Sequence, residues 1–430
     1  MPKIYNSIYP IHKVSLIFTF SIILFILFFI YFATGDAWFG WELIFFFVFF
    51  SYPLAILLRF TQNEAIFFSV IMLLHVVCAL LAFYVYPSFF IHDFARDTEG
   101  FIRLANLHQT SFSIGVGVYV NFLDALFYFS PSPFSAYMIS LIAVAITLFL
   151  LKAIANQFGI RKKLMVIMLF ATCFPNDVIH TSVAMREAWE VLFIVVSAWS
   201  TIQFHNTKRM RFLIILFLSL ICLGSLHEGL FYVAILWPFV FWAVLKIFRL
   251  LNRIDVVLKI ILTGLIVFGL GLLLVYLAYI HASFFDSVFE YSNRVHIGGS
   301  TYRTFLSKDN SVLLNLLHVP LSVLYYWFYP FPWELHRFKD IYGCFLGFTR
   351  LFFIVYSFYF ILKSPELRQR HLGWALMMIL LLISIFFAIG TANYGTSMRH
   401  NILTFWGFVI LGTSGLYLHR RPYYKKHVNR

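Results

Sequence analysis

Charge is what this chain has least of. Asp, Glu, Lys and Arg make up only 12% of its 430 residues, where soluble globular domains carry about a quarter. Half the usual charge cannot cover a water-facing surface, which excludes a cytosolic enzyme and a disordered regulator. Cysteine is scarce as well. Cys78, Cys173, Cys222 and Cys344 lie in or beside apolar runs, with no Cys-x-x-Cys and no Cys/His cluster. Neither a disulfide-stapled secreted domain nor a zinc site is indicated. A Gly-rich strand–helix motif for a nucleotide is also missing. The bulk of the chain is the opposite of these: 62% hydrophobic, 21% aromatic, with 55 phenylalanines. Its solvent is lipid.

The net charge of +14 does not make it a nucleic-acid binder. Basic residues fall in short clusters between long apolar runs, at Arg161-Lys162-Lys163, Lys208 to Arg211, Lys246 to Arg253, Lys363 to Arg370 and Arg420 to Arg430. No continuous patch could follow a phosphate backbone. The spacing is that of inner loops in a multispanning membrane protein.

A helix needs roughly 20 apolar residues to cross a bilayer. Segments near 14–34, 41–58, 65–86, 134–155, 164–181, 187–205, 212–225, 228–247, 258–281, 345–362, 372–391 and 402–418 qualify, about twelve in all. Two more, 112–129 and 313–333, carry Gly, Asn, Asp or Pro and suit re-entrant or interfacial helices. The expected fold is therefore an all-α polytopic membrane protein, one integral domain over residues 1–430 with both termini cytoplasmic. Under that topology Glu64, Asp255 and Glu366 are the only acids on the inner side. Residues 87–133 and 282–344 then form the longest outer stretches, and chemistry is expected at that rim. The first segment reads as a retained span rather than a removable signal peptide.

Several polar groups at the rim could carry chemistry. Asp93, Asp97 and Glu99 follow the third span, and Asp93 and Asp97, four apart, share a face if the stretch is helical. Such carboxylates can take a proton from a hydroxyl or hold a metal. The competing reading is a solvated loop neutralised by Arg96 and Arg103. Arg186, Glu187 and Glu190 open the sixth span. Arg186 and Glu190 can pair at i,i+4, or Arg186 can hold a phosphate in a polar cavity. His227 and Glu228 lie between two apolar helices without a His-Glu-x-x-His zinc motif and read best as polar capping. Arg399 and His400, preceded by Gly395-Thr396-Ser397, could place a cation and backbone donors around a phosphate. Arg294 lies in a phosphate-friendly outer loop. His75 is expected to be a hydrogen-bonded interior residue, and Arg350 to snorkel outward or pair with Glu334 or Asp340. The aromatics of 325–333 read as an interfacial belt.

Taken in order, some of these pieces resemble a known family. Asp97-Thr98-Glu99-Gly100-Phe101-Ile102-Arg103-Leu104-Ala105 resembles the acidic, aromatic, Leu-Ala start of GT-C-type membrane glycosyltransferases. Pro175 through Ser182 to Arg186-Glu187 is similar to a Pro…Ser…Arg/Lys-Glu signature of bacterial members that build surface polysaccharide. Asn393-Tyr394-Gly395-Thr396 followed by Arg399-His400 resembles their motif before the last helix. An Asp-x-Asp pair is lacking. The resemblance implies transfer of a sugar from a polyprenyl-phosphate or polyprenyl-diphosphate donor to a glycan or lipid acceptor, at the outer face of a bacterial inner membrane. Asp93 or Asp97, with Glu99 beside them, would supply the base, and Arg186, Arg294, Arg399, His400 and His227 would face phosphate. Membrane lipids would be the other partner, and nucleic acid none. No cofactor is implied, and a divalent metal stays open. A repeat-unit polymerase uses the same chemistry. A transporter or lipid-linked glycan flippase is the reading from another class, and it would want charges at mid-membrane and inverted repeats.

Overall fold

The structure, a computed structural model, describes residues 60–84, 92–109, 114–129, 133–160, 164–250, 312–336, 338–391 and 393–428, with isolated positions 258 and 269. The expected spans 14–34, 41–58 and 258–281 lie outside this set. Within it there are 13 α-helices and no strand. Six helices are long and apolar enough to cross a bilayer, which makes the chain a polytopic helical membrane protein. It divides into two compact units, Met1–Ile154 with Arg161–Ser200, and Ala155–Ile160 with Thr201–Arg430.

The first unit starts with α1 (Gln62–Tyr84). Thr61-Gln62-Asn63-Glu64 is a capping box: the Thr61 N–H donates to Glu64 Oε2 at 2.8 Å, satisfying one of the orphan donors at a helix start. The same carboxylate oxygen accepts from Lys152 Nζ at 2.7 Å, and Lys152 sits over the Phe60 ring at 4.0 Å. Lys152 lies near the end of α4 (Phe134–Gln157), so this ion pair ties the start of α1 to the close of α4. At their other ends Phe83 meets Phe134 and Tyr137 edge-on at 5.2 and 5.5 Å. Midway, His75 is fully buried, with Nδ1 2.8 Å from the Ile71 carbonyl and Nε2 3.1 Å from Thr181 Oγ1. It is the interior hydrogen-bonded histidine that was expected.

Between α1 and α4 run α2 (His92–Asn106) and α3 (Val116–Phe129). Along α2, Thr98, Phe101 and Ala105 are buried, while Asp97, Glu99 and Arg103 are exposed. That i, i+3, i+7 stripe is the pattern of a helix lying on a surface. Its buried face meets α3, where Phe101 packs edge-on against Tyr119 at 5.3 Å. His108 Nδ1, 2.7 Å from Asp124 Oδ1, closes the turn between them. With 14 residues, α3 rises only about 21 Å, short of a bilayer crossing, which fits an interfacial helix at 112–129.

The expected span 164–181 is two short helices, α5 (Leu164–Thr172) and α6 (Pro175–Ser182). Proline is the reason. Phe174 is extended, as a residue before Pro prefers to be, and Pro175 opens α6 where its missing N–H costs nothing. Thr172 helps finish α5 by donating its hydroxyl back to the Met168 carbonyl. Val183 is extended, and a bent segment after it leads into α7 (Glu187–Thr207), whose first turn holds Glu187 and Glu190, favourable positions for acids.

In the second unit α8 (Met210–Leu226) and α9 (Glu228–Leu250) form a hairpin broken at His227. Trp237 of α9 donates to Thr201 Oγ1 near the end of α7 at 3.1 Å. Then come α10 (Val312–Phe328), α11 (Phe338–Lys363), α12 (Leu367–Gly390) and α13 (Tyr394–Val428). Helix α10 has 17 residues and ends in a proline-containing loop. The last-turn carbonyls of α10 would be orphans, and side chains from its neighbours take them. Ser397 Oγ and Asn401 Nδ2 both donate to the Tyr326 carbonyl, at 2.6 and 2.8 Å. Arg350 Nη1 donates to the Trp327 carbonyl. Arg350 is 6% exposed: it turns inward onto a helix end rather than snorkelling outward. The Trp327 indole N–H donates to Ser384 Oγ at 3.0 Å. Helices α11 and α13 run close together because Gly412 and Gly415 of α13 stand against the Phe353 and Tyr356 carbonyls of α11, small residues admitting backbone contact where lipid supplies no hydrophobic drive.

Candidate functional site

The exposed face of α2 borders a cleft of about 390 Å³ in the first unit. Glu99, Ile102, Arg103 and Asn106 supply its α2 wall, and Phe83, at the end of α1, and Tyr137, at the start of α4, face them. One side therefore carries a carboxylate, a guanidinium and an amide, and the other is apolar and aromatic. Amphipathicity explains the arrangement: burying Phe101 and Ala105 on α3 turns Glu99 and Arg103 outward. Asp97 is exposed on α2 but does not line the cleft. Asp93 falls on the first turn, four residues before Asp97 and so on one helical face with it, though its side chain is outside the described set.

Buried polar side chains gather where α3 meets the start of α7, and α6 carries others of its own. Asn176, Asp177 and His180 of α6 are buried, and Glu187 and Glu190 of α7 are fully enclosed. Arg186 Nε lies 3.3 Å from Glu190 Oε1, with the arginine side chain 13% exposed, so the expected i,i+4 pair forms. Tyr119 of α3 joins them. Burial, and then the Glu187 charge, push its phenol above the usual range, while Ser140 and Arg186 pull the other way. The sequence pointed to Arg186 but not to the depth of Glu187 or to Tyr119. An acid opening a helix reads as a simple dipole partner, and the signal available was the unusual density of two acids and an arginine within five residues of an apolar span.

The second unit brings His227 and His400 together. Their rings stand 5.6 Å apart at 87°, and Phe387 contacts both, at 4.9 and 4.5 Å between centroids. His400 is buried and His227 half-buried. The Gly229 N–H donates to His227 Nδ1 at 3.0 Å, so a neutral His227 carries its hydrogen on Nε2. This bond is the capping role the sequence suggested for His227. Arg399 adjoins His400 in the first turns of α13, which Asn393 starts by accepting the Gly395 N–H at 2.8 Å. Arg294 lies outside the described residues. Asp97, Glu99 and Arg186 thus belong to one unit, and His227, Arg399 and His400 to the other.

Among the described residues no three His, Cys, Asp or Glu side chains gather closely enough to hold a metal ion. Compared with protein-family models, with curated proteins and with solved structures, the chain matches none.

Proposed function

We propose that the chain is a GT-C-type membrane glycosyltransferase of about twelve spans. It would move a sugar or oligosaccharide from a polyprenyl-phosphate or polyprenyl-diphosphate donor to a glycan or lipid acceptor. The site would lie at the extracytoplasmic face of a bacterial inner membrane, in surface-polysaccharide assembly, with both termini cytoplasmic. The observation that carries this reading is the α2 cleft, where Glu99 and Arg103 lie within one helical turn opposite an aromatic wall.

In the proposed step the acceptor hydroxyl loses its proton to the Glu99 carboxylate as its oxygen bonds to the anomeric carbon. The bond from that carbon to the donor phosphate breaks, and the phosphate leaves with the electron pair. Arg103, a planar fork for phosphate oxygens, stabilises the charge that develops there. Phe83 and Tyr137 give the apolar part of the lipid-linked donor a wall. Among Asp93, Asp97 and Glu99, the carboxylates that the resemblance implies, Glu99 is taken as the base because it faces the cleft.

The test is Glu99→Gln in a deletion strain, scoring surface glycan by gel beside protein abundance. Glu99 is exposed, so abundance is expected to hold while glycan falls by about 100-fold. Full glycan at normal abundance would remove the proposed site. A ladder against a single mass increment in the wild-type product separates polymerase from single-sugar transfer.

A further inference from the structure

The loop leaving α10 carries a feature that the transfer chemistry does not use. Trp333 is 76% exposed, and Phe331 lies parallel to it, 5.1 Å away at 6°. Behind them Tyr325 meets Phe331 edge-on at 5.0 Å and stacks on Tyr329 at 5.9 Å. Pro330 and Pro332 fix the backbone on either side of Phe331, and the last turn of α10 is held by Arg350, Ser397 and Asn401. One indole face is thus backed by a ring, and the other is flat, open and preorganised. Polar residues stand close by along the chain. Glu334 follows Trp333 directly, His336 is exposed, and the charges of Glu334 and Asp340 act on the Tyr329 phenol.

An open aromatic face with a few polar groups beside it matches a ligand that has one apolar face and a polar edge. A pyranose ring has that form, with C–H groups on its flat side and hydroxyls around it. We infer that Phe331 and Trp333 form a glycan-binding subsite, with a pyranose stacked on the open face of Trp333. Two aromatic rings held in parallel, one of them set between prolines, suit a ligand that must be held in register, whereas a belt residue in the membrane interface needs no such backing. The inference goes beyond the transferase reading and does not depend on it.

Binding is measured without turnover, on the full chain in nanodiscs, by saturation-transfer NMR with soluble tetrasaccharides of glucose, galactose, rhamnose and N-acetylglucosamine. At least one of these is expected to bind. W333A is expected to weaken it about tenfold, the worth of one stacking face, and W333F to retain most of it. Glu99→Gln is expected to bind glycan normally, so loss of transfer and loss of the subsite are told apart. No transfer of saturation to any of the sugars, or equal transfer to W333A, overturns the inference. So does stronger fluorescence quenching by brominated lipid in the wild type than in W333A, because the indole would then be seated in the membrane.

Discussion

Substituting Gly415 by alanine tests the seam between α11 and α13. A Cβ at this position would overlap the Tyr356 carbonyl oxygen and stand 2.9 Å from its carbon. Both are backbone atoms, so no side-chain rotation can relieve the overlap, and α11 and α13 must move apart by about 1 Å or more to restore ordinary contact. The Ser357 hydroxyl, which bridges the Phe353 carbonyl at 2.7 Å and the Phe408 carbonyl at 3.1 Å, would lose its bond across the seam. Overpacking costs about 1–3 kcal/mol and the hydrogen bond about 1 kcal/mol. The expected destabilisation is about 2–4 kcal/mol. Two comparisons calibrate it. At Gly407 the nearest atoms belong to the flexible Leu380 side chain, the closest at 2.5 Å, and at Gly390 a Cβ meets nothing within 4 Å. Reversible SDS unfolding of purified protein should rank the alanine variants Gly415 worst, Gly407 next and Gly390 within about 0.5 kcal/mol of wild type. A Gly415→Ala midpoint equal to that of Gly390→Ala would refute the seam.

The Glu64–Lys152 pair, with side chains 10% and 12% exposed, gives a second outcome. Glu64→Gln or Lys152→Met alone should cost about 3 kcal/mol by leaving a shielded charge, while the double variant recovers part of it; a double-mutant cycle with no coupling speaks against the tie. His108→Ala is expected to change stability by under about 1 kcal/mol, because the histidine is 82% exposed and the pair is screened by salt; a larger loss in the same unfolding assay would show that the α2–α3 turn matters more than its exposure suggests.

How much of this was legible in the sequence depended on whether the deciding partner was a side-chain pattern or a backbone atom. Hydropathy marks α1, α4, α9, α11, α12 and α13, whereas the Thr61-to-Glu64 capping box that starts α1 went unread. The helix through the acidic stretch stays open against a solvated loop in the sequence, because the four-residue step from Asp93 to Asp97 sets the two acids on one face only if the stretch is helical. The break between α5 and α6 was missed because an apolar run masks a proline whose only cost is to the residue before it. Arg350 was assigned to water or to carboxylates because its acceptor, the Trp327 carbonyl, leaves no trace in residue type. Glu99 rather than Asp97 faces the cleft because burial of Phe101 and Ala105 sets the rotation of α2, and that rotation depends on what α3 presents.

The tether at the end of α10 bears on how the second unit can move. Three different helices grip its final turn at once, α11 through Arg350, α12 through Ser384 and α13 through Ser397 and Asn401. Axial sliding of α10 would have to rupture all of these grips together, so the helix is unsuited to act as a piston. Any larger rearrangement of the second unit would therefore have to turn about this knot rather than slide through it.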